Sequence, residues 1–392
     1  MRILFVQSPA DLYGAGRALL RLCCDMRRSG WEVAVVLPEE GALSRRLTEV
    51  GVENFLVPGI AKLERQDFAT AAGALQFCRD VLSDIRAQRR IIARWRPDVI
   101  HTNTSVIPST AVAAKLAGCP HFWHLRESYS EFPSLWAIYK HIMGAFSTRI
   151  VCCSQVAADQ FAGSWGRRRT RIVYEGLASS EFRTFSAADV AAWRHRFAPE
   201  GGPVVGVVGR IRMIRKGQEV FVAAAQRLAS AFPAARFVCI GDAYPGNESH
   251  VDELRRRAER AGIAHRFEIT GNIEDVAAAT AALDIAVMPS VVPEPFGNVV
   301  MEAMCLGKPV VASANGGGRE QIEDGVTGFL VPPGDADALA RALATLLGDP
   351  ELARAMGEAG QRRFEALFTS ENGHAAIRKL YAELGFDVPV EC

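Results

Sequence analysis

The chain has 392 residues, 49% of them hydrophobic and 23% charged, and a formal net charge of +1. It exceeds the roughly 250–300 residues at which one hydrophobic core stops growing, so two domains of about 150–200 residues are expected. The apolar content excludes a disordered chain, and the balanced charge excludes a bulk nucleic-acid binder. That balance is global only. Residues 1–180 carry 23 Lys and Arg against 16 Asp and Glu, whereas residues 181–392 carry 22 against 28. A basic front half and an acidic back half predict different partners, with an anionic acceptor suited to the first. The nine cysteines are odd in number and contain no CxxC pair. Together with an N-terminus too short in apolar residues for a secretory segment, they predict a cytoplasmic protein. No stretch reaches the roughly 18 apolar residues of a membrane span.

In chain order, Ile3–Gln7 reads as a strand and Arg17–Ser29 as a helix stopped at Gly30. Val33–Leu37, Val99–Thr102, Phe122–Leu125, Ile150–Cys153 and Ile172–Tyr174 follow as short apolar strands, with an Ala-rich helix over 109–117. The rhythm breaks over 180–203, and Pro199–Pro203 is the best hinge candidate. It restarts with strands at 204–208, 236–240, 266–270, 285–288 and 310–312, separated by helices near 217–231, 250–261, 274–282 and 298–306. Helices over 335–347, 350–367 and 371–384 close the chain. Continuous apolar strands alternating with helices predict α/β architecture: two doubly wound, parallel-sheet, Rossmann-like domains. The expected boundaries are 1–185, a linker at 186–203, 204–367, and a terminal helix in 368–392. Ligands in such folds sit outside the carboxyl ends of the strands, which predicts a site in a cleft between the domains.

Three segments carry candidate chemistry. Gly209 and Arg210 close the first strand of the second domain, and Lys216-Gly217 opens the next helix. Two cations beside a helix N-terminus suit a diphosphate, although basic loop residues are common on any surface. Glu294-Pro295-Phe296-Gly297-Asn298 follows another strand, with Asn298 read as a helix N-cap and Glu302 one turn further on. The two carboxylates can accept hydrogen bonds from sugar hydroxyls, and the backbone near Gly297 can face a phosphate; acids compensating a helix dipole are the plainer alternative. The loop of Gly14, Ala15 and Gly16 opens the first helix, but its spacing does not make a dinucleotide fingerprint.

Quoted as they stand, GRIRMIRKG (209–217), EPFGNVVMEAMCLGKPVVAS (294–313) and GGGREQIEDGVTGFLVPPGD (316–335) resemble the GT-B fold retaining glycosyltransferases of family 4. The resemblance covers nearly all of the second domain. It implies that Arg210 and Lys216 hold the diphosphate of a nucleoside-diphosphate sugar, UDP or GDP. It also implies that Glu302 binds the ribose, and that Glu294 and the Phe296–Gly297 backbone address the transferred sugar. Arg210 and Lys216 stand six apart, one more than in many members. In the front half the resemblance is looser: Gly14 and Gly16 fall where the family has a Gly-rich loop near phosphate and acceptor, with Ala15 between them. A buried structural role is the usual fate of a lone strand-end histidine, but the family places one where His124 stands, against the donor sugar. Arg126 and Glu127 would border the acceptor, and His101 is a weaker strand-end candidate. The terminal helix is expected to cross back to the first domain.

The implied activity is transfer of a sugar, with retention, to an acceptor hydroxyl on a glycan, a lipid-linked sugar or a small molecule. No metal or other cofactor is expected, because cations and a helix N-terminus meet the leaving diphosphate. Asp335-Ala-Asp337 spells a metal-binding DxD but follows Pro-Pro-Gly into a helix, so Asp335 reads as an N-cap. Arg86, Arg89, Arg90, Arg94 and Arg96, and Arg167, Arg168, Arg169 and Arg171, read as solvated faces, with peripheral contact at the inner face of an anionic membrane as the alternative. Rival functions are a sugar-nucleotide epimerase of the same fold, a non-catalytic nucleotide-sugar-binding subunit and, lower, a nicotinamide dehydrogenase.

Overall fold

The computed structural model describes residues 1–12, 14–64, 70–129, 132–244 and 246–386. Seven strands form the first sheet: β1 (Arg2–Val6), β2 (Glu32–Leu37), β3 (Glu53–Leu56), β4 (Val99–Thr102), β5 (His121–Leu125), β6 (Arg149–Cys152) and β7 (Thr170–Ile172). Six form the second: β8 (Val204–Val208), β9 (Arg236–Ile240), β10 (Phe267–Ile269), β11 (Ile285–Met288), β12 (Val310–Ser313) and β13 (Gly328–Val331). The strand orders are β3-β2-β1-β4-β5-β6-β7 and β10-β9-β8-β11-β12-β13. Each order reverses once, beside β1 and beside β8, as in doubly wound sheets, and the named neighbouring strands pair in parallel.

The unbroken apolar runs explain this choice. Ile3 to Val6 and Val33 to Leu37 are buried on both faces, so each strand needs helices on either side. One face of the first sheet packs Ile3, Phe5 and Val35 against Leu19, Leu22 and Met26 of the helix Gly14–Arg28. The other packs Leu4, Val6 and Ile100 against Ile85, Ile92 and Trp95 of the helix Ala71–Trp95. In the second sheet, Val205, Phe237 and Ile285 share a core with Phe221, Leu254 and Leu343. Among the described residues no helix is long and apolar enough to cross a membrane.

The chain divides into two units, Met1–Gly176 with Ser370–Cys392, and Leu177–Thr369. The expected linker at 186–203 is therefore corrected: residues 177–203 belong to the second unit. Ser186 and Asp189 form a capping box that starts a helix, Ala187–Phe197, which packs on the helix Val276–Ala281. Arg194 on that helix is ion-paired with Asp284 at 2.5 Å and donates to the carbonyls of Ala282 and Gly202. The terminal helix, Ser370–Ala382, belongs to the first unit, where Ile377, Leu380 and Tyr381 enter the core beside Leu22 and Met26. Buried Arg378 and His374 anchor it on Asp25.

Candidate functional site

In the second unit the site is built at the carboxyl ends of β8 and β11. The backbone leaves β8 through Gly209, whose φ of +121° favours glycine, and its N–H donates to the Ile240 carbonyl at 2.9 Å. Arg210 follows, exposed, with its guanidinium 4.8 Å from the Tyr244 ring centroid. The loop then turns through Ile214, a β-branched residue at φ +69°, whose N–H is held by Glu219 at 2.9 Å. This turn absorbs the six-residue spacing and brings Lys216 back to the strand ends. Arg215 reinforces it, its carbonyl accepting from Val291 and Val292 N–H at 3.0 and 3.2 Å. Gly217 is obligatory here: at φ +70° it is the helix N-cap, and a Cβ would lie 1.9 Å from the Pro289 carbonyl oxygen.

Lys216 Nζ donates to both oxygens of Glu294, at 2.6 and 2.7 Å. Ser290 Oγ donates to the same carboxylate, and Asn315 in turn donates to the Ser290 and Val291 carbonyls. The Glu294 side chain is 15% exposed and that of Lys216 is 32% exposed, so the pair is partly desolvated. Behind it, Gly317 N–H donates to the Glu294 carbonyl at 2.8 Å, and Gly316 sits so close that a Cβ would fall 2.1 Å from that oxygen. Pro295 and Phe296 are half-buried, with Phe296 packed edge-on to Phe368 at 5.7 Å.

Two details of the helix start differ from expectation. Gly297, not Asn298, is the N-cap of the helix Asn298–Cys305, and a Cβ at 297 would lie 2.7 Å from Met288 Sδ. The Gly297 N–H and C=O are also both taken by the buried Gln321 amide, at 3.3 and 2.9 Å. Any anion at this helix end would therefore meet the amides after Gly297. Glu302 lies one turn into the helix and is half-buried. Asp335 is an N-cap as expected, accepting from Asp337 and Ala338 N–H.

In the first unit, Gly14 and Ala15 are exposed in the first turn of the helix Gly14–Arg28. Gly16 is buried, and a Cβ there would fall 2.0 Å from the Asp11 carbonyl oxygen. Tyr13, between Asp11 and Gly14, lies outside the described residues. Asn103, after β4, ties this loop to the strand ends by donating to Gln7 Oε1 at 2.6 Å and, more weakly, to Ala15 at 3.4 Å.

His124 stands near the end of β5, 3% exposed, and among the described residues neither ring nitrogen has a hydrogen-bond partner. Burial, and then the nearby Arg126 guanidinium, holds its imidazolium form well below the usual histidine range, so the ring is neutral. It lines a small cavity of about 30 Å³ with Arg21, Arg126, Glu175 and His374. Arg126 is ion-paired with Glu175 and donates to Asn103 at 2.9 Å. Glu127 turns inward: its carboxylate accepts from the Thr104 and Ser105 hydroxyls, both at 2.6 Å, and from Arg126 N–H at 3.0 Å. It braces the 103–105 loop in this structure.

Several site-shaping residues escaped the sequence reading. Gln321, Asn315, Gly316 and Gly317 lie within the GGGREQ region and its lead-in, a segment whose spelling offers no chemistry until it folds behind Glu294. Glu175 and His374 meet His124 only through tertiary packing, and Tyr244 meets Arg210 from a loop remote in sequence. Among the described residues no group of three or more His, Cys, Asp or Glu is arranged to hold a metal ion.

Comparison with known proteins agrees with this arrangement. Residues 191–363 match the family model for glycosyl transferases group 1, and residues 13–178 match that for the glycosyl transferase 4-like domain. A 2-deoxystreptamine N-acetyl-D-glucosaminyltransferase of Streptomyces fradiae is 30% identical over 66% of this chain, a match spanning 64% of that protein, just under two thirds of its length. A phosphatidyl-myo-inositol mannosyltransferase of Mycolicibacterium smegmatis is 28% identical over 86% of this chain and 82% of its own. Anabaena Alr3699/HepE, solved in complex with UDP, is 26% identical, with a TM-score of 0.82 over 98% of this chain and 100% of that one. The same protein in complex with UDP-glucose gives a TM-score of 0.80. With one glycosyltransferase family model on each α/β unit, and both together spanning most of its length, this chain resembles the group 1 glycosyltransferases, and it has the GT-B fold.

Proposed function

We propose that the protein transfers a sugar from a nucleoside-diphosphate sugar, UDP- or GDP-linked, to an acceptor hydroxyl, with retention at the anomeric carbon. The observation that carries this reading is the Lys216–Glu294 pair at the strand ends, with Arg210 on the same loop and Glu302 on the helix that follows. The solved relative in complex with UDP and UDP-glucose supports a nucleotide sugar as ligand.

In the proposed reaction the bond between the anomeric carbon and the diphosphate oxygen breaks as the acceptor oxygen bonds to the same carbon. The acceptor proton passes to the departing phosphate. Negative charge grows on the diphosphate, and Arg210, Lys216 and the first amides of the helix Asn298–Cys305 are the groups suited to stabilise it. These cations are expected to serve without a metal. Glu302 would accept from ribose hydroxyls and Glu294 from hydroxyls of the sugar. Freeing Glu294 for that task requires Lys216 to shift toward phosphate, so donor binding exchanges one ion pair for another. In the first unit neutral His124 is the proposed sugar contact, Arg126 is proposed to border the acceptor with Glu127 behind it bracing the 103–105 loop, and the Gly14–Gly16 turn approaches the acceptor's phosphate or hydroxyl. A glycan, a glycolipid and a small glycoside remain the acceptor classes.

Calorimetric titration with UDP, GDP, ADP and NAD⁺, on the protein and on Glu302→Ala, tests the donor site. Tight binding of one diphosphate, weakened in the variant, is expected. Binding of NAD⁺ alone overturns the reading. Release of an epimerised nucleotide sugar without acceptor would assign the site to epimerisation instead.

A further inference from the structure

His101 is fully buried on β4 in a row of rings that crosses the first sheet. Strand register sets Phe5 and Phe122 beside it, with ring centroids at 5.4 and 5.9 Å. His124, two residues along β5 on the same face, is its diagonal neighbour at 5.5 Å and 36°. The fourth side of the cage is Tyr381, edge-on at 6.0 Å, whose hydroxyl is hydrogen-bonded to His101 Nδ1 at 2.5 Å. Tyr381 is itself fully buried and comes from the terminal helix, 280 residues away in sequence.

Apolar rings at both 101 and 381 would fill this cage with no buried polar group to satisfy. The imidazole leaves Nε2 buried without a partner, so its polarity is retained against stability. What the polarity supplies is direction: the bond to Tyr381 fixes the plane of the ring against which His124 packs. Among the described residues His124 has no hydrogen bond of its own to set its orientation, so the plane of the ring it packs against at 5.5 Å is a direct restraint on it.

We infer that Tyr381 and His101 form a positioning pair that holds the His124 ring in its working orientation, making the returning helix a functional part of the transfer site. The inference rests on the proposed role of His124. It assigns no contact with substrate to either residue.

Imidazole ¹⁵N NMR of the full chain, which has eight histidines, gives a substrate-free test. Tyr381→Phe keeps the ring and removes the hydroxyl; His101→Phe keeps the cage and removes the polarity. Both are expected to fold, to bind nucleoside diphosphate within about twofold of the parent, and to shift or broaden the His124 resonances. In turnover of the donor identified by titration, kcat should fall roughly five- to tenfold, the scale of one lost hydrogen bond, with donor KM unchanged. A Tyr381→Phe protein with a lower melting temperature but unchanged His124 resonances and kcat would overturn the inference, leaving the hydroxyl a structural role. Parent-level turnover in His124→Ala would instead remove the proposed role of His124, and the NMR result separates the two failures.

Discussion

Replacing Lys216 with Met tests stability and chemistry together. The ammonium is bound by both oxygens of Glu294, and the two side chains are 32% and 15% exposed. Breaking a fully buried pair costs about 3–5 kcal/mol and an exposed one about 0–1 kcal/mol. This pair lies between, so Lys216→Met should lose about 2 kcal/mol, mainly because Glu294 is left charged with Ser290 as its remaining side-chain donor among the described residues. Adding Glu294→Gln removes the stranded charge and should recover about 1 kcal/mol. Turnover should not follow stability. Lys216 is proposed to meet charge that grows in the transition state, and losing such a group costs about 10²–10³ in kcat. Urea unfolding of the single and double variants, beside sugar transfer under saturating donor, separates the two effects. If Lys216→Met transfers within threefold of the parent, the phosphate role is refuted. If the double variant is no more stable than the single, the desolvation argument is refuted.

Glu302→Ala should weaken nucleoside-diphosphate binding by roughly 10–150-fold, since hydrogen bonds to a charged acceptor are worth about 1.5–3 kcal/mol; unchanged calorimetric affinity would refute the ribose role. Gln321→Leu removes both bonds to Gly297 and should cost about 1–3 kcal/mol in stability while loosening the loop that carries Glu294, read by urea unfolding and by proteolysis within 294–298. Gly217→Ala combines a left-handed backbone with a Cβ 1.9 Å from the Pro289 oxygen, so a loss above about 2 kcal/mol is expected, and a near-neutral variant would mean that the loop relaxes freely. Burial raises the Asp25 pKa, but His374 and Arg378 together outweigh it and hold the carboxyl below its ordinary range. A depressed folded pKa gives stability that is present above the ordinary value near about 3.9 and lost as pH falls through the folded value. Asp25→Asn should therefore flatten the acid limb of the stability–pH curve below about pH 4, and an unchanged limb would show that the anchor of the terminal helix is not titrating.

Much of the second unit is legible in sequence because its signals are local. Gly209-Arg210, Lys216-Gly217 and Glu294 to Glu302 lie within single strand-turn-helix passages, where turn residues and helix starts are spelled by neighbouring positions. The helix Ala187–Phe197 was hidden for the opposite reason. Its Pro- and Gly-rich flank reads as a linker, and its anchoring through Arg194 and Asp284 joins residues 90 apart. The N-cap of the helix Asn298–Cys305 is Gly297, held from both sides by the Gln321 amide 24 residues on, a contact no capping preference records.

The sequence by itself determines the two parallel α/β sheets, since unbroken apolar strands can be buried only between helices, and it locates the donor-side candidates, since they lie on the turns those strands impose. Tertiary structure alone decides how the candidates are used. It pairs Lys216 with Glu294 across 78 residues, turns Glu127 inward to Ser105, strips His124 of partners, and brings Tyr381 across 280 residues to His101. The physical reason is range. Strand and helix patterns are written in contacts a few residues apart, whereas the charge, burial and orientation of a site depend on which distant side chains packing brings within hydrogen-bond reach.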